Sequence, residues 1–317
     1  MVQSVTTRPV GYSGIQVSVA GLGCNNFGMR LDEAATARVV HAALDHGINF
    51  FDTADVYGMG RSERFLGAAL KGRRDRAVIL TKFGSPADPD HPEHRGASAQ
   101  HVRRAVEASL RRLDTDHIDL YMQHQPDPQT RIEETLEALD RLVGEEKVRA
   151  IACSNFACWQ LADADWTSRT RGLARFVAAE HHWSLAERSV ERETVSAARR
   201  FGLSVIPFFP LASGLLTGKY RRGHAPPDGT RLSLFPRSER FLNDRNFDVA
   251  EAVERFAAER GVPMVAVALG WLAARPEVCS VIAGATSPEQ VAANVEAATW
   301  APGEEDLAEL DRITSAS

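Results

Sequence analysis

An aspartate, a phenol, an ammonium and an imidazole each follow a short apolar run in this chain. Asp52 closes the run 48–52, Lys82 closes 77–82, His124 closes 118–124, and Tyr57 lies five residues beyond Asp52. Taken singly, each has an ordinary reading. A lysine after an apolar strand is a solvated end residue. A histidine there is a hydrogen-bonded polar group, and an aspartate caps a turn. Together they are the types an acid–base site requires. A phenol with a pKa near ~10 needs help to move a proton at neutrality. A neighbouring ammonium favours the phenolate and lowers that pKa, and a carboxylate keeps the ammonium charged and oriented. Two more runs end in polar residues, Ser154-Asn155 and Glu180-His181-His182. Asp52, His124, Glu180, His181 and His182 also have the types of a metal-dependent barrel hydrolase. Neighbouring strand residues point to opposite faces, however, so His181 and His182 cannot share a site while extended. The first strand carries no H-x-H pair either, and no metal is expected.

Residues at such ends must be placed by strands. Apolar, β-branched runs predict strands over 17–23, 48–52, 77–82, 118–124, 148–154, 176–180, 204–209 and 278–284. Helical periodicity predicts helices over 33–46, 62–71, 98–113, 132–143, 157–164, 187–201, 249–260, 263–274, 289–297 and 304–313. Ser98 and Ser287-Pro288 are start signals, and Gly47, Gly72, Gly202 and Gly261 follow helix ends. Strand–helix alternation means a parallel sheet. Eight units in one chain of this length predict an α/β fold, a (β/α)8 TIM barrel over 1–317 as a single domain, whose chemistry sits at the C-terminal strand ends. Ser13-Gly14 predicts an N-terminal hairpin capping one barrel end. The stretch 213–246, rich in Gly, Pro and Arg, is expected to be an active-site loop. Phe27, Met29, Trp183 and Phe235 are candidate pocket residues. Gly21-Leu-Gly23 lacks the third glycine and the immediate helix of a dinucleotide-binding turn, so it is read as close packing.

Composition narrows the partners. The 317 residues carry 37 basic and 42 acidic side chains, a net charge of −5, which gives no footprint for nucleic acid or an anionic membrane. No apolar run approaches the ~20 residues of a membrane span, and the N-terminal segment lacks the apolar stretch of a signal peptide. Cys24, Cys153, Cys158 and Cys279 form no C-x-x-C pair, which points to a reducing, cytoplasmic setting. Nothing in the sequence sets the oligomeric state or the substrate.

Several blocks carry a family resemblance. Gly47-Ile-Asn-Phe-Phe-Asp52-Thr-Ala-Asp-Val-Tyr57-Gly, Leu80-Thr-Lys82-Phe-Gly, Ile118-Asp-Leu-Tyr-Met-Gln-His124, Lys147-Val-Arg-Ala-Ile-Ala-Cys-Ser154-Asn155-Phe and Gly214-Leu-Leu-Thr-Gly-Lys219-Tyr span nearly the whole chain. With them the chain resembles the aldo-keto reductase superfamily, in its bacterial, potassium-channel-β-like branch. The resemblance implies reversible reduction of aldehydes and ketones by a nicotinamide cofactor. It implies a catalytic tetrad of Asp52, Tyr57, Lys82 and His124, with Tyr57 as general acid. It also implies cofactor contacts at Ser154, Asn155, Glu180, Phe208, Gly214, Leu216, Lys219, Arg231, Gly284, Thr286, Gln290 and Asn294. Three positions depart from the family pattern. Glu180 replaces a common Gln, and a carboxylate donates no hydrogen bond unless protonated. Phe208 replaces a stacking Tyr. Thr286 stands where many members have an Arg for the 2′-phosphate. The expected cofactor is NADPH/NADP, with NADH possible, and Lys219, Arg221, Arg222 and Arg231 could compensate for the missing Arg. A cofactor-binding regulatory or sensor subunit with weak turnover is the alternative, ahead of the metal-dependent hydrolase.

Overall fold

The structure is a computed structural model that describes residues 6–85, 95–234 and 238–315. Two short strands, Thr7–Pro9 (β1) and Gln16–Ser18 (β2), pair antiparallel as the expected hairpin. Eight more form one parallel sheet: Ala20–Gly23 (β3), Phe50–Asp52 (β4), Val78–Phe83 (β5), Ile118–Gln123 (β6), Val148–Ser154 (β7), Phe176–His182 (β8), Ser204–Phe208 (β9) and Val281–Gly284 (β10). Their spatial order is β10-β3-β4-β5-β6-β7-β8-β9. The Val205 N–H donates to Glu277 O at 2.8 Å, and a parallel bridge joins Val205 to Val278, which brings the two ends of the sheet together. The fold is the (β/α)8 barrel.

The predicted strand 17–23 is two strands, because the chain turns at Val19 from the hairpin into the barrel. Helices link the strands in the expected alternation: Glu33–Asp45 (α1), Arg61–Ala69 (α2), Ala99–Leu113 (α3), Ile132–Gly144 (α4), Cys158–Arg171 (α5), Thr194–Phe201 (α6), Asp244–Glu259 (α7), Met264–Ala273 (α8), Pro288–Ala298 (α9) and Glu304–Thr314 (α10). Ser98 and Ser287 cap α3 and α9, each accepting from a backbone N–H in the first turn. The predicted helix 187–201 breaks into a 3-10 turn at Ser189–Glu191 and α6. Glu191 explains the break, since it accepts from Trp183 Nε1 at 2.9 Å and from Arg188 Nε at 2.8 Å. Helix α7 begins before the predicted 249 because Asn243 caps it, and this shortens the long loop. Among the described residues no single helix is long and apolar enough to cross a membrane.

Period-two alternation places side chains inside the barrel in layers. Phe50, Leu80, Leu120, Ala150, Ala178 and Ile206 fill the interior, and Val10, Ile15 and Val17 of the hairpin plug its N-terminal end. Two residues further along their strands, on the same inward face, stand Asp52, Lys82, Met122 and Glu180. The apolar layer is the floor on which the polar layer rests.

Candidate active site

A cavity of about 1040 Å³ opens at the C-terminal ends of the strands. Asp52, Tyr57, His124, Ser154, Asn155, Glu180, Phe208, Gly214, Lys219, Arg231, Gly284, Thr286, Gln290 and Asn294 all line it. Lys82 lies just beneath, fully buried. Leu216 is the exception among the predicted cofactor contacts. Its side chain is fully buried in the core outside the barrel, so it offers no side-chain contact in the cavity. Its apolar character, rather than its place in the loop motif, decides where it points.

Lys82 organises the floor. Its Nζ donates to Asp52 Oδ1 and, at 3.2 Å, to Thr53 O. Glu180 Oε2 lies 3.3 Å from the same ammonium. The ammonium also sits 5.4 Å from the centre of the Tyr57 ring. The Tyr57 and His124 rings meet edge to face at 6.0 Å. The loop carrying Tyr57 is held by Ser62, whose N–H donates to Tyr57 O and whose hydroxyl donates to Cys24 O. Gly58 follows Tyr57 at φ +57°, where a Cβ would press on Phe27 O at 3.0 Å, so only glycine brings the two loops this close.

Burial and charge set the protonation states. Burial is the largest influence on Tyr57 and raises its pKa, while Lys82 pulls it back only in part. This corrects the expectation of a lowered phenol pKa: the ammonium acts in the expected direction, but Asp52 and Glu180 neutralise it and desolvation outweighs it. Burial opposes the charge on Lys82, yet Asp52, Glu180 and Tyr57 overcome this and hold its pKa above the ordinary lysine value. Burial, with help from Lys82, pushes His124 down to about 3, so its imidazole is neutral. Burial and the Asp52 charge push Glu180 up to about 8.

The rest of the wall offers hydrogen-bond donors, rings and cations. Asn155, in a left-handed conformation at φ +61°, donates through Nδ2 to His124 O at 3.1 Å and Ser154 Oγ at 2.9 Å. Phe208 stacks against His182 at 5.6 Å, which gives that histidine a packing role. Arg231 covers the Phe209 ring at 4.8 Å. Arg221 and Arg222 do not compensate for the missing Arg. Arg221 pairs with Glu254, and Arg222 with Asp244, Asp248 and Glu251, outside the cavity. Phe27 and Trp183 are buried core residues and Met29 is exposed, so none lines the cavity; Phe235 lies outside the described residues. The sequence reading missed Asn25, Asn26, Arg30, Phe209 and Trp300, which do line it. Asn25 and Asn26 follow β3, so the strand-end rule that flagged the other residues would have found them.

The family model of the aldo/keto reductase family matches residues 20–315. The chain belongs to this family. A Bacillus subtilis (strain 168) relative named "Uncharacterized oxidoreductase YrpG" is 38% identical over 314 residues, covering 96% of this chain and 94% of the relative. An Arabidopsis thaliana protein named "Probable voltage-gated potassium channel subunit beta" is 33% identical, covering 93% and 92%. A Glycine max protein named "Probable aldo-keto reductase 1" is 34% identical, covering 95% and 86%. As an aldo-keto reductase, the chain is an oxidoreductase.

Proposed function

We propose that this aldo-keto reductase reduces aldehydes or ketones to alcohols, reversibly, and takes NADPH in preference to NADH. The observation that carries the reading is the buried Asp52–Lys82 pair beneath Tyr57 on the floor of a cavity large enough for a dinucleotide and a small carbonyl compound. We read 1–317 as one catalytic domain, active on small molecules in a reducing, cytoplasmic setting.

The cavity fits the cofactor. Gly214, at φ +97°, takes a left-handed turn that favours glycine and lines the cavity beside Lys219. Lys219 and Arg231 supply cations for a pyrophosphate. The N-terminus of α9 opens onto the cavity through Gly284, Thr286 and Gln290, a place that favours anions. Ser154 and Asn155 suit the carboxamide, and Phe208 suits stacking on the nicotinamide. When bound there, the reduced nicotinamide supplies the hydride.

The residues of the chain then handle the proton. Tyr57 keeps its proton through the neutral range, so its hydroxyl can protonate the carbonyl oxygen as hydride arrives. Lys82 stabilises the phenolate left behind. Asp52 keeps Lys82 charged and aimed. Neutral His124 makes a hydrogen bond to the same oxygen. Alcohol oxidation starts from the disfavoured phenolate, so the site favours reduction near neutral pH.

Cofactor preference rests on few groups. The Thr286 N–H and hydroxyl both donate to Gln290 Oε1, at 2.8 and 3.1 Å, leaving the Gln290 NH2 as the donor that the pair presents. A hydrogen bond to a charged group contributes roughly 1.5–3 kcal/mol. Losing the Arg therefore narrows the preference by about one to two powers of ten. Trp300 on the cavity wall makes quenching of tryptophan fluorescence a direct readout of binding. NADPH is expected to bind more tightly than NADH, and equal or tighter NADH binding would overturn the preference. Turnover of a simple aldehyde with NADPH separates an enzyme from a subunit that only holds the cofactor.

A further inference from the structure

Glu180 is a second carboxyl group at a site that needs one. Its side chain is 3% exposed, Asp52 is 5% and Lys82 is 1%, so two carboxyl groups share one ammonium away from water. Asp52 already holds the ammonium through a hydrogen bond. Glu180 Oε2, 3.3 Å away, has no hydrogen-bond partner among the described residues. One buried ammonium does not compensate two buried carboxylates, so the one without a hydrogen bond to it is disfavoured as an ion and takes up a proton instead.

Among the described residues no second cation pairs with it. Asp52 faces it from β4 and Lys82 from β5, with Tyr57 from the loop after β4 and His124 from the end of β6. The phenol and the imidazole are both neutral. The flanking strands β7 and β9 present Ser154 and Phe208. The cavity wall also carries the cations Arg30, Lys219 and Arg231, and the ion pair that Glu180 makes among the described residues is with Lys82. Glu180 is also part of the wall. Its backbone oxygen accepts from Ser154 Oγ at 3.2 Å and from the Asn155 N–H at 3.0 Å, which places its side chain next to the proposed carboxamide contacts.

We propose that Glu180 works as a neutral carboxylic acid, donating its proton as a hydrogen bond to the cofactor's carboxamide beside Ser154, and that its ionisation weakens cofactor binding and draws Lys82 away from Asp52 and Tyr57. The second half makes Glu180 a positioning residue acting through Lys82. The first half rests on the proposed nicotinamide function. Protonated, Glu180 offers the donor that an amide side chain would offer; ionised, it offers only acceptors. Its proton leaves to solvent, so the coupling appears as pH dependence.

Two measurements on the whole protein test this. The first needs no cofactor: infrared difference spectroscopy follows the C=O stretch of protonated carboxyl groups as pH is raised through about 8. Asp55, also pushed up to about 8 by burial, contributes to the same band, so the reading is the part that Glu180→Gln removes and Asp55→Asn does not. That part should be present below the transition and vanish above it. Its absence below the transition overturns the proposal. The second measurement titrates NADPH by tryptophan fluorescence across the same range. Wild-type affinity should fall, approaching about tenfold per pH unit on the alkaline side. Glu180→Gln should match wild type at low pH and stay flat. Superimposable pH curves for the two proteins overturn it. If no nicotinamide cofactor binds at any pH, the proposed function fails with the carboxamide half, while the infrared band still reports whether Glu180 holds a proton.

Discussion

Tyr57→Phe removes the hydroxyl of the ring that faces Lys82 and leaves that ring packed against His124. It should keep cofactor affinity and lose about 10²–10⁴-fold in carbonyl reduction. Steady-state rates beside a fluorescence titration check both halves. Lys82→Met has a consequence that sequence alone conceals. The stem is replaced by similar volume, but Asp52 and Glu180 both lose their shared cation. Breaking a buried pair from one side costs about 3–5 kcal/mol. The variant should be inactive and clearly less stable than wild type at neutral pH. Because its stranded carboxyl groups protonate more readily in the fold than in the unfolded chain, the deficit should shrink as pH falls. Denaturant melts at several pH values measure this, and a pH-independent deficit would show that the two carboxyl groups are not its source. The positions of Asp52, Tyr57, Lys82 and His124 were legible because each closes an apolar run or follows one closely. The protonation state of Tyr57 was not, since it depends on how many charges share its burial, and spacing does not reveal that.

Strand ends position the floor of the site, but the segment after β9 builds its far wall. Ala212–Thr217 forms a 3-10 turn in which Ser213 and Gly214 adopt left-handed φ values of +58° and +97°. This backbone turns Lys219 back toward the cavity. At Gly214 an added Cβ would meet Lys219 Cε and Nζ at 2.8 Å and also bear the strain of positive φ. Strain of that kind costs a non-glycine residue roughly 1–2 kcal/mol. Gly214→Ala should therefore weaken NADPH binding by about tenfold or more and leave the rate at saturating cofactor nearly unchanged. A fall in the saturated rate with intact affinity would place this loop in the chemistry instead. Strand existence and order were readable from the β-branched runs, and helix starts from Ser98 and Ser287. The break at Ser189–Glu191 was not, because it depends on Trp183 and Arg188 meeting Glu191, a contact between side chains whose geometry is not written in any local period. Leu216 teaches the same lesson: a loop motif fixes a backbone path, and packing decides which side chains turn inward.

At the scale of the molecule, the charges buried for chemistry set the pH range over which the barrel is stable. The half-buried histidines His124, His181 and His182 have pKa values depressed by desolvation, His124 to about 3 and His181 to about 4. The unfolded chain binds their protons below about 6.5 while the folded chain does not. Stability therefore rises with pH up to that point and is lost as pH falls below it. Glu180 and Asp55, both raised to about 8, act in the opposite sense. The folded chain holds their protons from about 4.5 up to about 8, where the unfolded chain has already released them, so their contribution declines as pH rises across that window. Together the two sets favour a stability maximum on the mildly acidic side of neutrality, the histidines contributing to its acid limb and the carboxyl groups to its alkaline limb. His181 lies outside the cavity lining, so its limb can be altered without touching the proposed chemistry. His181→Gln should flatten the acid limb between about 4 and 6.5 and leave the alkaline limb as it is. Glu180→Gln should do the reverse, gaining stability relative to wild type as pH climbs toward 8. Melting temperatures of the three proteins across this range measure the two slopes separately. An acid limb unchanged by His181→Gln would assign the acid sensitivity to His124 and His182, whose rings pack against Tyr57 and Phe208 in the site itself.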